Sequence, residues 1–150
     1  MRSKGIVVAT AALAMLAFAA CGSEGSSNGS EGSTKGDGST QVAVTLDDYS
    51  IEPSSTSVPA GDITFNVENA GATKHEMVVI RTDVDVADIP VENHEANEEA
   101  PGMTPIGEVE NVQPGASAEL KLTLEPGRYV FLCNIAKHFE RGMVTEFQVS

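Results

Sequence analysis

The chain has 150 residues, 22 of them Asp or Glu and 9 Lys or Arg, for a formal net charge of −13 with histidine neutral. That balance speaks against a nucleic-acid partner, because phosphate contacts require a basic face, and it suits a salty exterior or a protein partner with a cationic face. Trp is absent and Cys occurs twice, so any chemistry must rest on few residues.

Residues 1–20 read as a signal segment. Arg2 and Lys4 supply a positive flank, and residues 6–20 are an apolar run too short and too abruptly ended for a comfortable membrane span. The run ends in Phe18-Ala19-Ala20-Cys21-Gly22, which resembles a bacterial lipobox, with Phe18 where Leu is usual. The resemblance implies cleavage before Cys21 and lipidation of Cys21; the other reading is an ordinary secretory signal that contains a Cys. Residues 22–40 are Gly, Ser, Asn, Thr and a few charges. Such a composition cannot bury surface and predicts a flexible tether with a reach of about 25 Å. With Cys21 lipidated, Cys133 has no disulfide partner. A lone thiol in an oxidising compartment invites uncontrolled oxidation unless it binds a metal.

Residues 41–150 are enough for one domain with its own core. The pattern there is β throughout. Strands are predicted at 42–46, at 63–67 after a Pro-Ala-Gly turn signal at 59–61, and at 76–81. Further strands fall at 118–124, where Ala118, Leu120, Leu122 and Leu124 alternate, at 129–133, apolar on both faces, and at 144–149. Six or more short strands punctuated by Gly and Pro predict an all-β Greek-key sandwich or barrel. Tyr129, just after Pro126-Gly127, fits a tyrosine corner. Residues 82–111 break the rhythm, with nine acids and no Lys or Arg. We read them as an acidic insertion with one helical turn near 86–89. It is either a solvated loop or a docking face for a cationic partner. His94 and Met103 within it are expected to face solvent.

The chemistry concentrates near the C-terminus. Cys133-Asn-Ile-Ala-Lys-His138-Phe-Glu-Arg-Gly-Met143 places a thiolate, an imidazole and a thioether at C-x4-H-x4-M spacing, and a second imidazole, His75, opens the strand at 76–81. Two His, one Cys and a weak axial Met are the ligand set of a type-1 copper site. Cys133 sits at a strand end on the face of Tyr129 and Phe131, and Gly142 permits a tight turn that presents Met143. Met77 reads as core or site lining. Zinc would favour a further strong ligand, and Cys-His nucleophilic catalysis lacks a visible orienting residue.

From these residues the chain resembles the cupredoxins, the plastocyanin and azurin family. The strongest stretch is 126–144, and its long ligand loop is similar to those of rusticyanin and auracyanin. The motifs at 60–65 and 69–71 match the family's second and third strands. The resemblance implies one copper ion, cycling between Cu(I) and Cu(II), held by His75, Cys133, His138 and Met143. It implies electron exit through His138, with Ile135, Ala136 and Phe139 as the surrounding apolar patch. Many family members have Asn or Ser after the first His; here it is Glu76, which together with Asn134 is a candidate for the shell around the ligands. The expectation is a monomeric carrier of single electrons rather than an enzyme. A lipid would hold it at the outer face of the cytoplasmic membrane or in the periplasm, where it would serve redox proteins with cationic docking faces. Copper sequestration or delivery is the alternative, and a metal-free scaffold a third.

Overall fold

The computed structural model of the chain describes residues 38–150; the signal segment, Cys21 and most of the tether lie outside the described residues. Eleven strands are found among these residues: β1 (Thr40–Asp47), β2 (Ser50–Pro53), β3 (Ser57–Val58), β4 (Gly61–Asn69), β5 (His75–Thr82), β6 (Val91–Glu92), β7 (Glu95–Ala96), β8 (Met103–Val112), β9 (Ser117–Leu124), β10 (Gly127–Leu132) and β11 (Val144–Val149). Two sheets form the sandwich, one in the order β2-β1-β4-β9 and the other β3-β11-β10-β5-β8. The β1–β4 and β3–β11 pairs are parallel and the remaining pairs antiparallel. The predicted all-β sandwich is therefore what forms. No helix among the described residues is long and apolar enough to cross a membrane.

Alternation explains the layers. Ile63, Phe65 and Val67 of β4 face Tyr129 and Phe131 of β10 and the following Cys133 across the sandwich, and Met77 and Val79 of β5 join them in one buried cluster. Phe65, Phe131 and Phe147 meet there, with centroids 5.2, 5.8 and 4.6 Å apart. The Tyr129 hydroxyl donates to the Glu125 carbonyl at 2.8 Å, so the tyrosine corner is present.

β5 and β10 are apolar on both faces because a second cluster covers the outer one. Val78, Ile80, Val130 and Leu132 point away from the first core and pack against Ile89, Ala96, Ala100 and Met103. This corrects the reading of residues 82–111 as an insertion outside the strand pattern. A 3-10 turn does form at Val86–Asp88, but Met103–Val112 is a full strand, paired along β5. Met103 is buried, at 8% exposure, rather than solvent-facing. A few apolar residues in a sparse acidic segment close the outer face of the second sheet.

Candidate metal centre

Three elements converge at one end of the sandwich. β5 opens on His75, a buried residue on the same inward face as Met77. β10 runs directly into buried Cys133, whose N–H donates to the Met143 carbonyl at 3.1 Å. Between these two the ligand loop folds on itself. The His138 N–H donates to the Ile135 carbonyl at 2.8 Å and the Met143 N–H to the His138 carbonyl at 3.1 Å. A 3-10 turn, Phe139–Arg141, is ended by Gly142 at φ 97°, a left-handed conformation that a Cβ would strain. The chain thereby reverses and sets fully buried Met143 against the other three residues.

The donor atoms face one another. Cys133 Sγ lies 3.4 Å from His138 Nδ1 and 4.0 Å from His75 Nδ1, and the two Nδ1 atoms are 3.2 Å apart. A triangle with these sides has its centre about 2.1 Å from every corner, the length of metal–imidazole bonds and close to that of metal–thiolate bonds. His75, Cys133 and His138 are the sole group of three such donors found among the described residues. Two imidazoles and a thiolate in a plane, with a thioether beside them, suit copper in both oxidation states.

The surroundings tune these groups. Burial pushes the Cys133 thiol above its ordinary value, against the backbone N–H groups of Glu76 and Ile135, which donate to the sulfur and favour the thiolate. Burial, together with the neighbouring His75 and Arg141, holds His138 below the ordinary imidazole value, which favours the neutral, ligating form. Burial raises the Glu76 carboxyl, while the Asn134 backbone N–H donates to it and opposes the rise. Asn134 ties the ligand loop to β7. Its side chain accepts from the Ala96 N–H at 2.6 Å and donates to the Ala96 carbonyl at 3.0 Å and to Glu98 at 2.6 Å. Glu76 thus meets the ligand loop through the Asn134 backbone N–H, and Asn134, a member of that loop, reaches out from it to Ala96 and Glu98.

The surface around His138 differs from the expectation. Phe139 is buried, at 8% exposure, and belongs to the second core. Ile135 is half-buried and only Ala136 is exposed. In place of Phe139 stands Tyr49, whose ring meets His138 edge-on at 5.4 Å and carries the Arg141 guanidinium 4.6 Å over its face; Arg141 also donates to the Tyr49 hydroxyl. His94 is exposed as expected and pairs with Glu140 at 3.0 Å, away from the donor triangle. Sequence reasoning missed Asp48 as well as Tyr49. Asp48 Oδ1 lies 3.1 Å from His75 Nε2, on the far side of that ring. Thr73 and His75 lead the hydrogen bonds that hold the Asp48 carboxyl below the ordinary carboxylate value.

Comparison with known proteins agrees with this geometry. The family model described as the cupredoxin-like domain matches residues 8–145. The fold is similar to that of auracyanin from the photosynthetic bacterium Roseiflexus castenholzii. That similarity has a TM-score of 0.58 at 24% identity and covers 75% of this chain and 98% of that one. It is also similar to rusticyanin from Thiobacillus ferrooxidans, with a TM-score of 0.52 at 16% identity, covering 75% and 79%. In sequence the chain is 27% identical over 105 residues to the iron uptake system component EfeO of Yersinia pseudotuberculosis. That match covers 70% of this chain and 22% of the relative, so the chain spans about a fifth of the relative's length. With a family match over most of its length, a β-sandwich of the same fold and a His-Cys-His triangle beside a Met, the chain belongs to the cupredoxin-like family.

Proposed function

We propose that the protein is an exported carrier of single electrons, with copper held by His75, Cys133, His138 and Met143. The donor triangle carries this reading: its centre already lies at bonding distance from all three strong ligands. Copper, when bound, supplies the one-electron redox couple. The protein's part is to keep the donors in one arrangement, so that little moves when charge changes. Cys133 is clamped by Met143 and by two backbone N–H groups, and its loop is clamped through Asn134. His138 is the half-exposed member of the set, hence the edge toward a partner. No nucleophile–base–orienter arrangement is part of this reading, which is that of a carrier rather than an enzyme.

The lipobox-like segment supports export and attachment through Cys21 to the outer face of the cytoplasmic membrane or within the periplasm, with the domain on its tether. The partners are redox proteins, met by a monomer. The acidic strip β6–β7 abuts the ligand loop, where the Lys137 N–H donates to the His94 carbonyl at 2.8 Å, and this supports docking by a cationic face. Transfer rates would then fall as salt rises.

The deciding experiment is Cu(II) addition to the full-length protein and its Cys133→Ser variant, read by visible absorbance and electron paramagnetic resonance. An intense thiolate-to-copper band with narrow hyperfine splitting, lost in the variant, is expected. Retained colour in the variant would refute the site. One observation favours a second reading, copper delivery in metal homeostasis: the similarity to an iron uptake component. A weak band with tight Cu(I) binding, released to a chelator or an apo-acceptor, would establish that reading instead.

A further inference from the structure

We propose that Asp48 is a positioning residue for the metal centre: its carboxylate accepts from His75 Nε2, fixes which nitrogen of that ring is left to bind the metal, and places a fixed negative charge behind it. The inference rests on His75 being a ligand and concerns what holds it. His75 is fully buried, with Nδ1 in the donor triangle. A neutral imidazole that binds metal through Nδ1 must carry its proton on Nε2, and a buried N–H left without an acceptor is strongly disfavoured. Asp48 Oδ1 is the acceptor, at 3.1 Å. An ionised carboxylate can only accept, so it selects the tautomer in which Nδ1 is free. The Thr73 hydroxyl, 3.3 Å from Nε2, is itself turned to Asp48 Oδ1 at 2.9 Å.

Asp48 does not reach this position by chance of rotamer. The backbone N–H of Thr73, at 3.3 Å, and that of Ala72 also hold its carboxylate. The chain opposite gives way to it. A Cβ on Gly71 would lie 2.8 Å from Asp48 Oδ1, 2.9 Å from His75 Nε2 and 3.0 Å from the Asp48 backbone nitrogen. Gly71 is therefore the residue that lets the β1–β2 turn close onto the β4–β5 turn with the His75 ring between them. His138 has no comparable anchor: no described group accepts from its Nε2. One imidazole is held by a carboxylate and the other is presented to the surface.

The test uses the full-length protein and the Asp48→Asn and Asp48→Ala variants, with two kinds of readout. In metal-free protein, nitrogen-15 shifts of the His75 ring are expected to show a single tautomer protonated at Nε2 in the wild type and a mixture in Asp48→Ala. In copper-loaded protein, Asp48→Ala is expected to weaken copper affinity about ten- to a hundred-fold, as loss of such partners does at other metal sites. Asp48→Asn retains an oxygen acceptor without the charge. It is expected to keep the absorption band and raise the reduction potential. Unchanged tautomer, affinity and potential in both variants, with urea midpoints showing them folded, would overturn the proposal. So would a wild-type His75 protonated at Nδ1. A wild type that fails to turn blue, yet loses its Nε2–H tautomer in Asp48→Ala, would sink the electron-carrier reading and leave the role of Asp48 standing.

Discussion

Asn134→Ala is the substitution whose consequence can be worked out most fully. The Asn134 side chain uses both of its N–H donors, on the Ala96 carbonyl and on the Glu98 carboxylate, and its oxygen accepts from the Ala96 N–H. A neutral hydrogen bond contributes about 1 kcal/mol net and one to a charged group about 1.5–3 kcal/mol. Ala96 is buried, at 5% exposure, so its freed N–H and carbonyl would have no easy route to water. An unsatisfied buried group adds about 1–3 kcal/mol, while local opening of the short β6–β7 hairpin would relieve part of that. The three bonds alone come to about 3.5–5 kcal/mol, and whatever part of the unsatisfied-group cost the hairpin does not relieve adds to that, a large share of a small domain's stability. Urea unfolding of the metal-free protein measures it, and the copper spectrum reads the second consequence. With its tie to β7 gone, the loop from Cys133 to Met143 should hold the thiolate less rigidly, so the band should broaden or shift. Asn134→Asp is the control: it retains an acceptor for Ala96 but sets a carboxylate against Glu98, and should be no better than Ala. A loss below about 1 kcal/mol together with an unaltered spectrum would show that the ligand loop stands without this brace.

Other expectations follow from the same geometry. Met143→Leu should retain copper and raise the reduction potential, because a donor that would stabilise the oxidised ion is removed; a lowered potential would mean that Met143 does not act as a ligand. Gly71→Ala should destabilise the fold by about 1–3 kcal/mol through overpacking, since one of its close contacts is to backbone, and should shift the copper spectrum as His75 moves. In the metal-free protein the His138 imidazole is held below its ordinary value, so the unfolded chain takes up the proton more readily than the folded one. Stability should therefore be fully present above the unfolded imidazole value of about 6.5 and be lost as pH falls from there toward the folded value. Urea midpoints across that range, with His138→Gln flattening the slope, check the sign. Glu76 acts oppositely in the carboxylate range: its raised folded value favours the folded protein at low pH, and that contribution disappears as pH rises through the folded value.

What could be read from the sequence was whatever rested on rare residue types or a clean period. Cys133, His138 and Met143 lie within one loop, and their chemistry is uncommon enough to identify without a fold. β9 was legible because its alternation is uninterrupted, and β10 because its apolar run is continuous, as the burial of every residue from Tyr129 to Leu132 bears out. β8 was not, for a physical reason. Its ladder with β5 shifts register opposite His75–Met77 and opposite Val79–Ile80, so Ile106, Val109 and Val112 recur every three residues, where an unbroken strand would repeat every two, and Met103 serves the opposite face. Pro105, Gly107 and the acids between them complete the disguise. Asp48 was hidden for another reason. Asp47-Asp48 reads as an ordinary turn, and only the docking of that turn against Gly71 brings its carboxylate to a histidine 27 residues away.

The acidic segment does more than solvate. β5 and β10 carry His75 and Cys133 at their ends, and both strands are buried on two faces. The inner face belongs to the phenylalanine core; the outer is covered by Ile89, Ala96, Ala100 and Met103 from within the acidic stretch, and by Phe139 from the ligand loop. A site that must keep one geometry through a change of charge needs its supporting strands unable to shift, and close packing on both sides supplies that resistance. The acids then occupy the outward positions of a segment whose inward positions are already committed to packing. Substitutions there divide by face. Ile89→Ala and Met103→Ala should loosen the strands behind the ligands and lower stability by about 2–5 kcal/mol. Glu92→Gln and Glu95→Gln should leave stability within about 0.5 kcal/mol and alter only the salt dependence of partner encounter. If the outward changes destabilised the protein as much as the inward ones, the acids would be part of the packing, and a separate docking role for them would have no support.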